Sequence, residues 1–599
     1  MTRTFGWIQN PGNPENLRRA VGTIYYGSDV YNELINERIP LLTKYKLWFD
    51  LKKVKDFENA LINLKENNEV PYSILKGTPG KKSTEDRSVA KCNGIVQAII
   101  NGQKSKTYKD DNGISCTMKK PYTDDWSADG FMRWAITLRF WIYNQNSDTV
   151  SITEIGKKFV DAKTQEEKMK IFGNALLCYP PVARVLKLLK DNGKMTKFEI
   201  GKELGFIGED GFTSLPQDPY ICEMFTETDI NIKKKLRSNY EGSSDKYARM
   251  ICSWLTKAGY VVSHSEKYYA VDGIANTKLE TYSITAIGIQ KLKLVTGKSS
   301  TGTTEMLVPY EMLATKAPDK DYLRYIRAKL IKYLNKPQYR TLENIKQYFK
   351  KMEFNLSTKY IELQLEGLER IGIQVEKNLK GIRILGKIVG LDIPEKSPKT
   401  EEITKIKQRI IDNTHFIDEI YYILVDYAYN TTNEAATKFE EETHNLFVTE
   451  LGFEGTHLGG SSKPDNIISE NETGVVIDNK AYSKGFSLST SMKDEMVRYL
   501  TELINKSASI NPNQWWTEFD SQVKNYKFLF ISSLFNGDIK GNINKVSART
   551  SIHGGAINIE NLLYLADNIK GGKISRTEAL NLFDANNEII CPPIQYAQN

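Results

Sequence analysis

Cysteine and histidine are scarce in this 599-residue sequence, with six of the first and five of the second. The cysteines, at 92, 116, 178, 222, 252 and 591, form no C-x-x-C pair, and the histidines are dispersed. That pattern argues against a zinc site and predicts reduced thiols in a cytoplasmic protein. Long apolar runs are missing as well. No stretch approaches the roughly 20 residues needed to span a bilayer. The opening MTRTFGWIQNPGNPENLRR has no apolar stretch of the secretory kind, so neither a signal peptide nor a membrane partner is expected. The stretch GTPGKKS (77–83) lacks the G-x-x-x-x-G-K spacing of a phosphate loop and follows no convincing strand. No Gly-rich cofactor loop of a methyltransferase accompanies it.

An apolar fraction of 40% excludes global disorder, and the length implies about three to five domains. Charge is unevenly distributed. From residue 401 onward there are 18 Lys+Arg and 27 Asp+Glu, which leaves 64 basic and 47 acidic residues before that point. A basic two-thirds joined to an acidic third points to a nucleic-acid-binding part attached to something else. A basic surface that is merely solvated is the plain alternative.

A faint internal repeat runs through the basic part. Its copies are GFMRWAITLRFWIYNQNSDTVSITEIGKKFV (130–160), KYARMICSWLTKAGYVVSHSEKYYAVDGIANTKLETYSITAIGIQKL (246–292) and the weaker YIELQLEGLERIGIQVEKNLKGIRIL (360–385). Each reads as an amphipathic helix, an aromatic or β-branched strand, a polar turn and a second short strand. This is the layout of a winged helix, a relative of the helix-turn-helix in which the helix before the wing can enter a major groove. Such modules also dock proteins, and the third copy fits that use too. DIPEKSPKT (392–400), with two prolines and charges, reads as a linker. Beyond it, helices over 401–429, 434–451 and 491–507 alternate with strands over 474–482, 526–535 and about 555–559. An α/β domain with a mixed central sheet follows. The expected division is 1–165, 166–302 and 303–392 for mainly α modules, 393–404 for the linker, and 405–599 for the α/β domain.

The densest chemistry lies in KPDNIISENETGVVIDNKAYS, 463–483. Its apolar run Val475-Val476-Ile477 predicts a buried strand. Residues i and i+2 of a strand share a face, so Asp478 and Lys480 point together while Asn479 points away. The segment NIISENETG is long enough to turn back and bring Asp465 alongside. Two carboxylates and a lysine at one strand end suit a hard cation such as Mg2+ with a positive charge beside it. A magnesium ion there would polarise a phosphodiester, and the lysine would position or deprotonate a water. The plain alternative is a strand emerging into a solvated turn, and P-D…D-x-K alone is a weak pattern.

The flanking stretches add specificity. HLGGSSKPD (457–465), GVVIDNKAYSKG (474–485), DEMVRYL (494–500), INPNQWW (510–516) and KFLFISSLFNG (527–537) resemble the cleavage domain of FokI-like type IIS restriction endonucleases, members of the PD-(D/E)xK nuclease superfamily. RTFGWIQNPG (3–12), WSADGFMRWA (126–135), TKFEIGKELGFIGEDGFTSLP (196–216) and YEGSSDKYARM (240–250) are similar to the family's recognition domain. The resemblance implies a magnesium-dependent endonuclease that binds a short asymmetric duplex site, GGATG in the family. It would cut both strands at a fixed distance outside that site and leave 5′-phosphates. A separate protein would supply the protective methyltransferase.

By the same resemblance Asp465, Asp478 and Lys480 are catalytic, and the two aspartates bind the metal. The loop between the aspartates is shorter than in the family, which should alter a surface hairpin only. Glu440 aligns with a further acidic member of such sites, although a solvated helix glutamate is the plain reading. Asp494 and Arg498 would face a second cleavage domain in a transient homodimer on DNA; their i,i+4 spacing by itself favours an intrahelical pair. Base contacts map onto Gln9, Asn10, Arg87, Gln103, Trp126, Ser238, Glu241 and Lys246. Lysine and arginine suit the acceptor edge of guanine, glutamine suits adenine, and glutamate accepts from the cytosine amino group. Ser238 replaces a family asparagine, which leaves its base pair open to a different reading. The rival from another class is a non-catalytic DNA-binding regulator carrying a relic nuclease fold.

Overall fold

The computed structural model describes residues 6–593 apart from 9–11, 48–50, 68, 78–91, 111, 210, 318, 353, 355, 395–401 and 461. The chain forms two compact units, Met1–Lys316 with Ile326–Leu342 and Glu362–Ile393, and Ala317–Tyr325 with Glu343–Ile361 and Pro394–Asn599. The segment 303–392, expected as a module of its own, therefore contributes to both. Among the described residues no helix is long and apolar enough to cross a membrane.

The repeat has a physical basis in the first unit. Helix α1 (Pro14–Gly22) packs against α2 (Asp125–Thr137), which leads through the antiparallel hairpin β1 (Trp141–Asn144) and β2 (Thr149–Ile152) into α3 (Glu154–Asp161). The next copy comprises α4 (Lys197–Lys202), α5 (Gln217–Thr226), α6 (Ile230–Asn239) and α7 (Ser243–Lys257). After them come the antiparallel strands β3 (Val261–Tyr269) and β4 (Asn276–Ile284), then α8 (Ala286–Val295). The shared S-I-T-x-I-G does the same job in both. Thr153 and Thr285 cap α3 and α8 by accepting from the backbone N–H of Gly156 and Gly288. A Cβ at Gly156 would lie 2.3 Å from the Phe140 carbonyl, and one at Gly288 2.2 Å from that of Tyr260. Only glycine lets the helix start this close to the residue that opens the wing. The third copy, α9 (Thr358–Arg370) with the hairpin β5 (Gln374–Asn378) and β6 (Gly381–Leu385), has no such motif.

The second unit is built on a five-stranded mixed sheet. Its strands are β7 (Glu454–His457), β8 (Asn466–Glu470), β9 (Thr473–Lys480), β10 (Asn525–Ser532) and β11 (Gly554–Asn558), in that spatial order. β7, β8 and β9 form an antiparallel meander, and β9, β10 and β11 run parallel. Helices α10 (Glu402–Asn413), α11 (Ile423–Ala428), α12 (Asn433–Asn445) and, after β11, α13 (Ile559–Lys570) supply the apolar layer that packs on Val475, Ile477, Leu529 and Ile531. On the opposite face Val476, Phe528 and Phe530 pack with α14 (Thr490–Asn505), α15 (Ile539–Thr550) and the Trp515–Trp516 pair. Alternation along β9 thus feeds two cores from one strand, each fully buried side chain contributing about 1.5–3 kcal/mol. The helical stretch expected over 401–429 is broken into α10 and α11 by a 3-10 turn at Glu419–Tyr422. Strand β8 lies in the segment that the sequence suggested only turns back, and β7 lies where the sequence suggested no element.

Candidate functional site

The meander sets the site's geometry. Asn466 stands opposite Ile477 in the antiparallel register, so continuing one step places Asp465 opposite Asp478. Oδ2 of Asp465 accepts the Asn479 N–H at 2.7 Å. The Asp465 carbonyl accepts from the N–H groups of Leu458 at 2.9 Å and Gly459 at 3.2 Å, which pins the turn before β8. Asp478 is 2% exposed and its Oδ1 accepts from Lys480 Nζ at 2.8 Å. Its other oxygen, Oδ2, is buried with no amine, amide or hydroxyl donor, and the Asp465 carboxyl is its side chain's acidic neighbour. Asn479 faces the opposite side of the sheet, where its amide donates to Thr443 of α12 at 2.9 Å.

Further carboxylates gather here. Glu495 on α14 lies 4.0 Å from Lys480 and accepts the Tyr499 hydroxyl at 3.0 Å. Burial raises the Glu440 carboxyl above its ordinary value, against the pull of the Lys480 charge. Burial, then the neighbouring Asp478 and Glu440, push the Asp465 carboxyl well above the usual carboxylate range. Asp478 is also raised by burial, with Lys480 opposing. Burial works against the Lys480 charge, but Asp478 and Asp465 outweigh it and raise the ammonium above its ordinary value. Lys480 is therefore a fixed cation here. Glu495 also has Arg498 at 3.9 Å, but the buried Asp465 and Asp478 share the Lys480 ammonium, and Asp478 Oδ2 has no amine, amide or hydroxyl partner. That chemistry fits a hard divalent cation. Among the described residues no three His, Cys, Asp or Glu side chains enclose an ion. Two carboxylates with the remaining positions left to water and phosphate suit magnesium.

A buried polar bracket behind the acids was not foreseen. The Asn466 amide donates to the Glu440 carbonyl at 3.0 Å and to Asn479 Oδ1 at 3.3 Å. It ties α12, which carries Glu440, to β8 and β9. The D-N and D-N-K spellings beside the two aspartates were the available signal.

Asp494 and Arg498 do not form the intrahelical pair that their spacing suggested. Asp494 pairs with Arg549 of α15 at 2.5 Å. Arg498 lies 3.6 Å from Glu502 and 3.9 Å from Glu495, with its guanidinium over the Tyr499 ring. Both stay about half exposed.

In the first unit Trp126, in the first turn of α2, is 59% exposed. Gln103 is exposed, and Ser238 is exposed on α6. Lys246 is half-buried in the first turn of α7. Glu241, just before α7, accepts from Lys197 Nζ at 2.8 Å and from Arg249 Nε at 2.7 Å and Nη2 at 3.2 Å. Burial alone would raise its carboxyl; the bonds from Arg249 and Lys197 hold it below the usual range. Glu241 and Ser238 line one cleft of ≈620 Å³ with Lys197, Lys234, Arg237 and Arg249. Gln9, Asn10 and Arg87 lie outside the described residues.

Four family models match the chain. They are FokI, recognition domain, subdomain 1 (residues 3–162); FokI, recognition domain, subdomain 2 (168–300); FokI, D3 domain (313–380); and FokI, cleavage domain (400–590). The type II restriction enzyme FokI of Planomicrobium okeanokoites is 34% identical over 604 residues, covering 98% of this chain and 99% of FokI. The type II restriction enzyme StsI of Streptococcus sanguinis is 29% identical over 537 residues, covering 84% of this chain and 85% of StsI. The solved structure of FokI superposes with a TM-score of 0.70 at 34% identity over 98% of this chain and 100% of that one. For FokI bound to DNA the TM-score is 0.71 at 33% identity with the same coverage.

Proposed function

Because the chain belongs to the FokI family of type II restriction enzymes, we propose that it is a type IIS restriction endonuclease. It binds a short asymmetric duplex site, GGATG by resemblance, and cuts both strands outside it. The observation that carries this reading is the meeting of Asp465, Asp478 and Lys480 at one strand end, with Asp478 Oδ2 left without an amine, amide or hydroxyl donor. Decay into a relic would remove one of the three first.

The nuclease unit is of the PD-(D/E)xK type. Asp465 and Asp478 would hold Mg2+, with Glu440 nearby, and the ion when bound would supply polarisation of the phosphodiester and charge neutralisation at the departing oxygen. Lys480, kept cationic by Asp478, stabilises the phosphate's growing negative charge. The helix-and-hairpin modules of the first unit act as winged helices, with α7 the candidate for the major groove. FokI bound to DNA is among the solved relatives, which supports duplex DNA as the partner. Base contacts are assigned to Gln9, Asn10, Arg87, Gln103, Trp126, Ser238, Glu241 and Lys246. One active centre cuts one strand, so two copies pair on DNA through Asp494 and Arg498. A separate methyltransferase protects the host site, and the enzyme works in the bacterial cytoplasm.

Digestion of a plasmid of known sequence with magnesium, with calcium and without metal, followed by sequencing of the ends, tests the reading. The expected result is magnesium-dependent cuts at a fixed distance to one side of a single asymmetric motif. Site-specific binding with no cleavage in any metal would leave the regulator reading in its place.

A further inference from the structure

Glu241 is held from two directions. Its Oε1 accepts both Lys197 Nζ and Arg249 Nε, at 2.8 and 2.7 Å, whereas Oε2 accepts only Arg249 Nη2, at 3.2 Å. A carboxylate oxygen offers about two lone-pair directions, so Oε1 is saturated and Oε2 keeps one. The side chain is 8% exposed, and it lines the cleft beside Ser238, Arg237 and Lys278. Lys197 opens α4, and Arg249 stands two turns into α7. The two helices therefore meet at this carboxylate.

We propose that Lys197 and Arg249 are specificity-positioning residues: they fix the Glu241 carboxylate so that one lone pair of Oε2 faces the cleft to accept the amino group of a DNA base. The inference rests on Glu241 being a base contact, as read above. An unpaired glutamate approaching a phosphate backbone is repelled by it and is free to rotate. Two cations outweigh the single negative charge and hold the side chain still, so that discrimination among bases does not depend on ordering it at each encounter. The remaining acceptor suits cytosine N4 in a major groove. The rival assignment is that Lys197 and Arg249 are phosphate contacts that pair with Glu241 only when no DNA is present.

The test is binding of the full-length chain, without divalent cation, to a duplex pool randomised across the recognition window, followed by sequencing of the bound fraction. Glu241→Gln, Lys197→Met, Arg249→Met and Arg249→Lys are compared with the parent, and the salt dependence of binding to one preferred duplex is measured. The expected result is that Glu241→Gln, Lys197→Met and Arg249→Met relax preference at the same single position, on the order of tenfold. Every other position and the salt slope should be retained, and intact preference elsewhere also reports a folded module. If the methionine variants fail to fold, Arg249→Lys decides: it keeps the charge, loses the two-pronged geometry, and should relax that same position. Relaxation by Glu241→Gln with no change from the Lys197 and Arg249 variants overturns the proposal and leaves the Glu241 reading intact. No change from Glu241→Gln removes both. A uniform loss across sequences, with the salt slope reduced by about one per residue, makes Lys197 and Arg249 phosphate contacts and overturns the proposal.

Discussion

Asp465 and Asn479 are joined side chain to backbone, the Asp465 Oδ2 accepting the Asn479 N–H at 2.7 Å. The bond fixes the first aspartate of the site against the strand that carries the second. It requires an acceptor and no charge, so Asp465→Asn can keep it while removing a carboxylate that burial and two neighbouring acids hold against ionisation. Metal-assisted chemistry is worth several kcal/mol of barrier, at 1.36 kcal/mol per tenfold in rate. Cleavage by Asp465→Asn should therefore fall by at least about 10³-fold in single-turnover digestion. Affinity for the recognition site should be unchanged, and the melting temperature unchanged or higher. A loss of site binding would show that the substitution acts on folding and not on the metal.

Metal binding should be linked to protons. The folded Asp465 carboxyl holds its proton above the pH at which an unfolded aspartate releases it, near 3.9. Between those two values the folded chain binds more protons, so the metal-free nuclease unit loses stability as pH rises through that window. A bound cation displaces the proton and reverses the effect. Magnesium should raise the melting temperature more at high than at low pH, and calorimetry in buffers of different ionisation enthalpy should detect proton release. A pH-independent stabilisation would mean that the ion binds away from these carboxylates.

Lys407 offers a stability test away from the site. It is 7% exposed and lies 2.7 Å from both Asp319 and Asp426. Burial raises the Asp426 carboxyl to about 7, with Lys407 opposing. Removing the cation leaves two acids buried without compensation, an arrangement that costs about 3–5 kcal/mol. Lys407→Met should lower denaturant stability of the second unit by that amount near neutral pH. Without Lys407 the Asp426 carboxyl rises further, so protonation relieves the repulsion and the loss should be greatest at alkaline pH and shrink as pH falls toward about 7. An equal loss at all pH values would mean that the defect is one of packing.

What the sequence revealed and what it concealed divide along a physical line. Asp478 and Lys480 share a face because strand periodicity is two, and that reading needs only neighbouring residues. The repeated S-I-T-x-I-G was equally legible as a motif, because its threonine caps a helix by bonding the glycine three residues on; the carbonyls of Phe140 and Tyr260 that the glycines pack against lie well upstream and were not legible. Strand β7 was not: E-G-T-H is short, polar and partly exposed at a sheet edge, so it carries no apolar alternation. The partners of Asp494 and Glu241 were hidden for another reason. Arg549 lies 55 residues from Asp494 and Lys197 lies 44 from Glu241, and no local period links such pairs. Helical spacing instead suggested Arg498 for Asp494, a pairing that tertiary contacts replaced.

The half-exposed Asp494 and Arg498 of α14 give a test of pairing between copies. Asp494 and Arg549 are each about half exposed, and an exposed ion pair contributes about 0–1 kcal/mol. Asp494→Arg should leave the melting temperature and site binding within error, whereas Arg498→Asp puts a third acid beside Glu495 and the buried Glu502 and should lower the melting temperature while keeping site binding. If these residues face their counterparts across a two-fold interface, each variant places like charges together, which costs several kcal/mol in association. Double-strand cleavage by either variant alone should then fall more than tenfold. An equimolar mixture restores opposite charges across the interface and should recover most of the activity. Full activity of each variant alone would remove Asp494 and Arg498 from the contact and direct attention to another face of the nuclease unit.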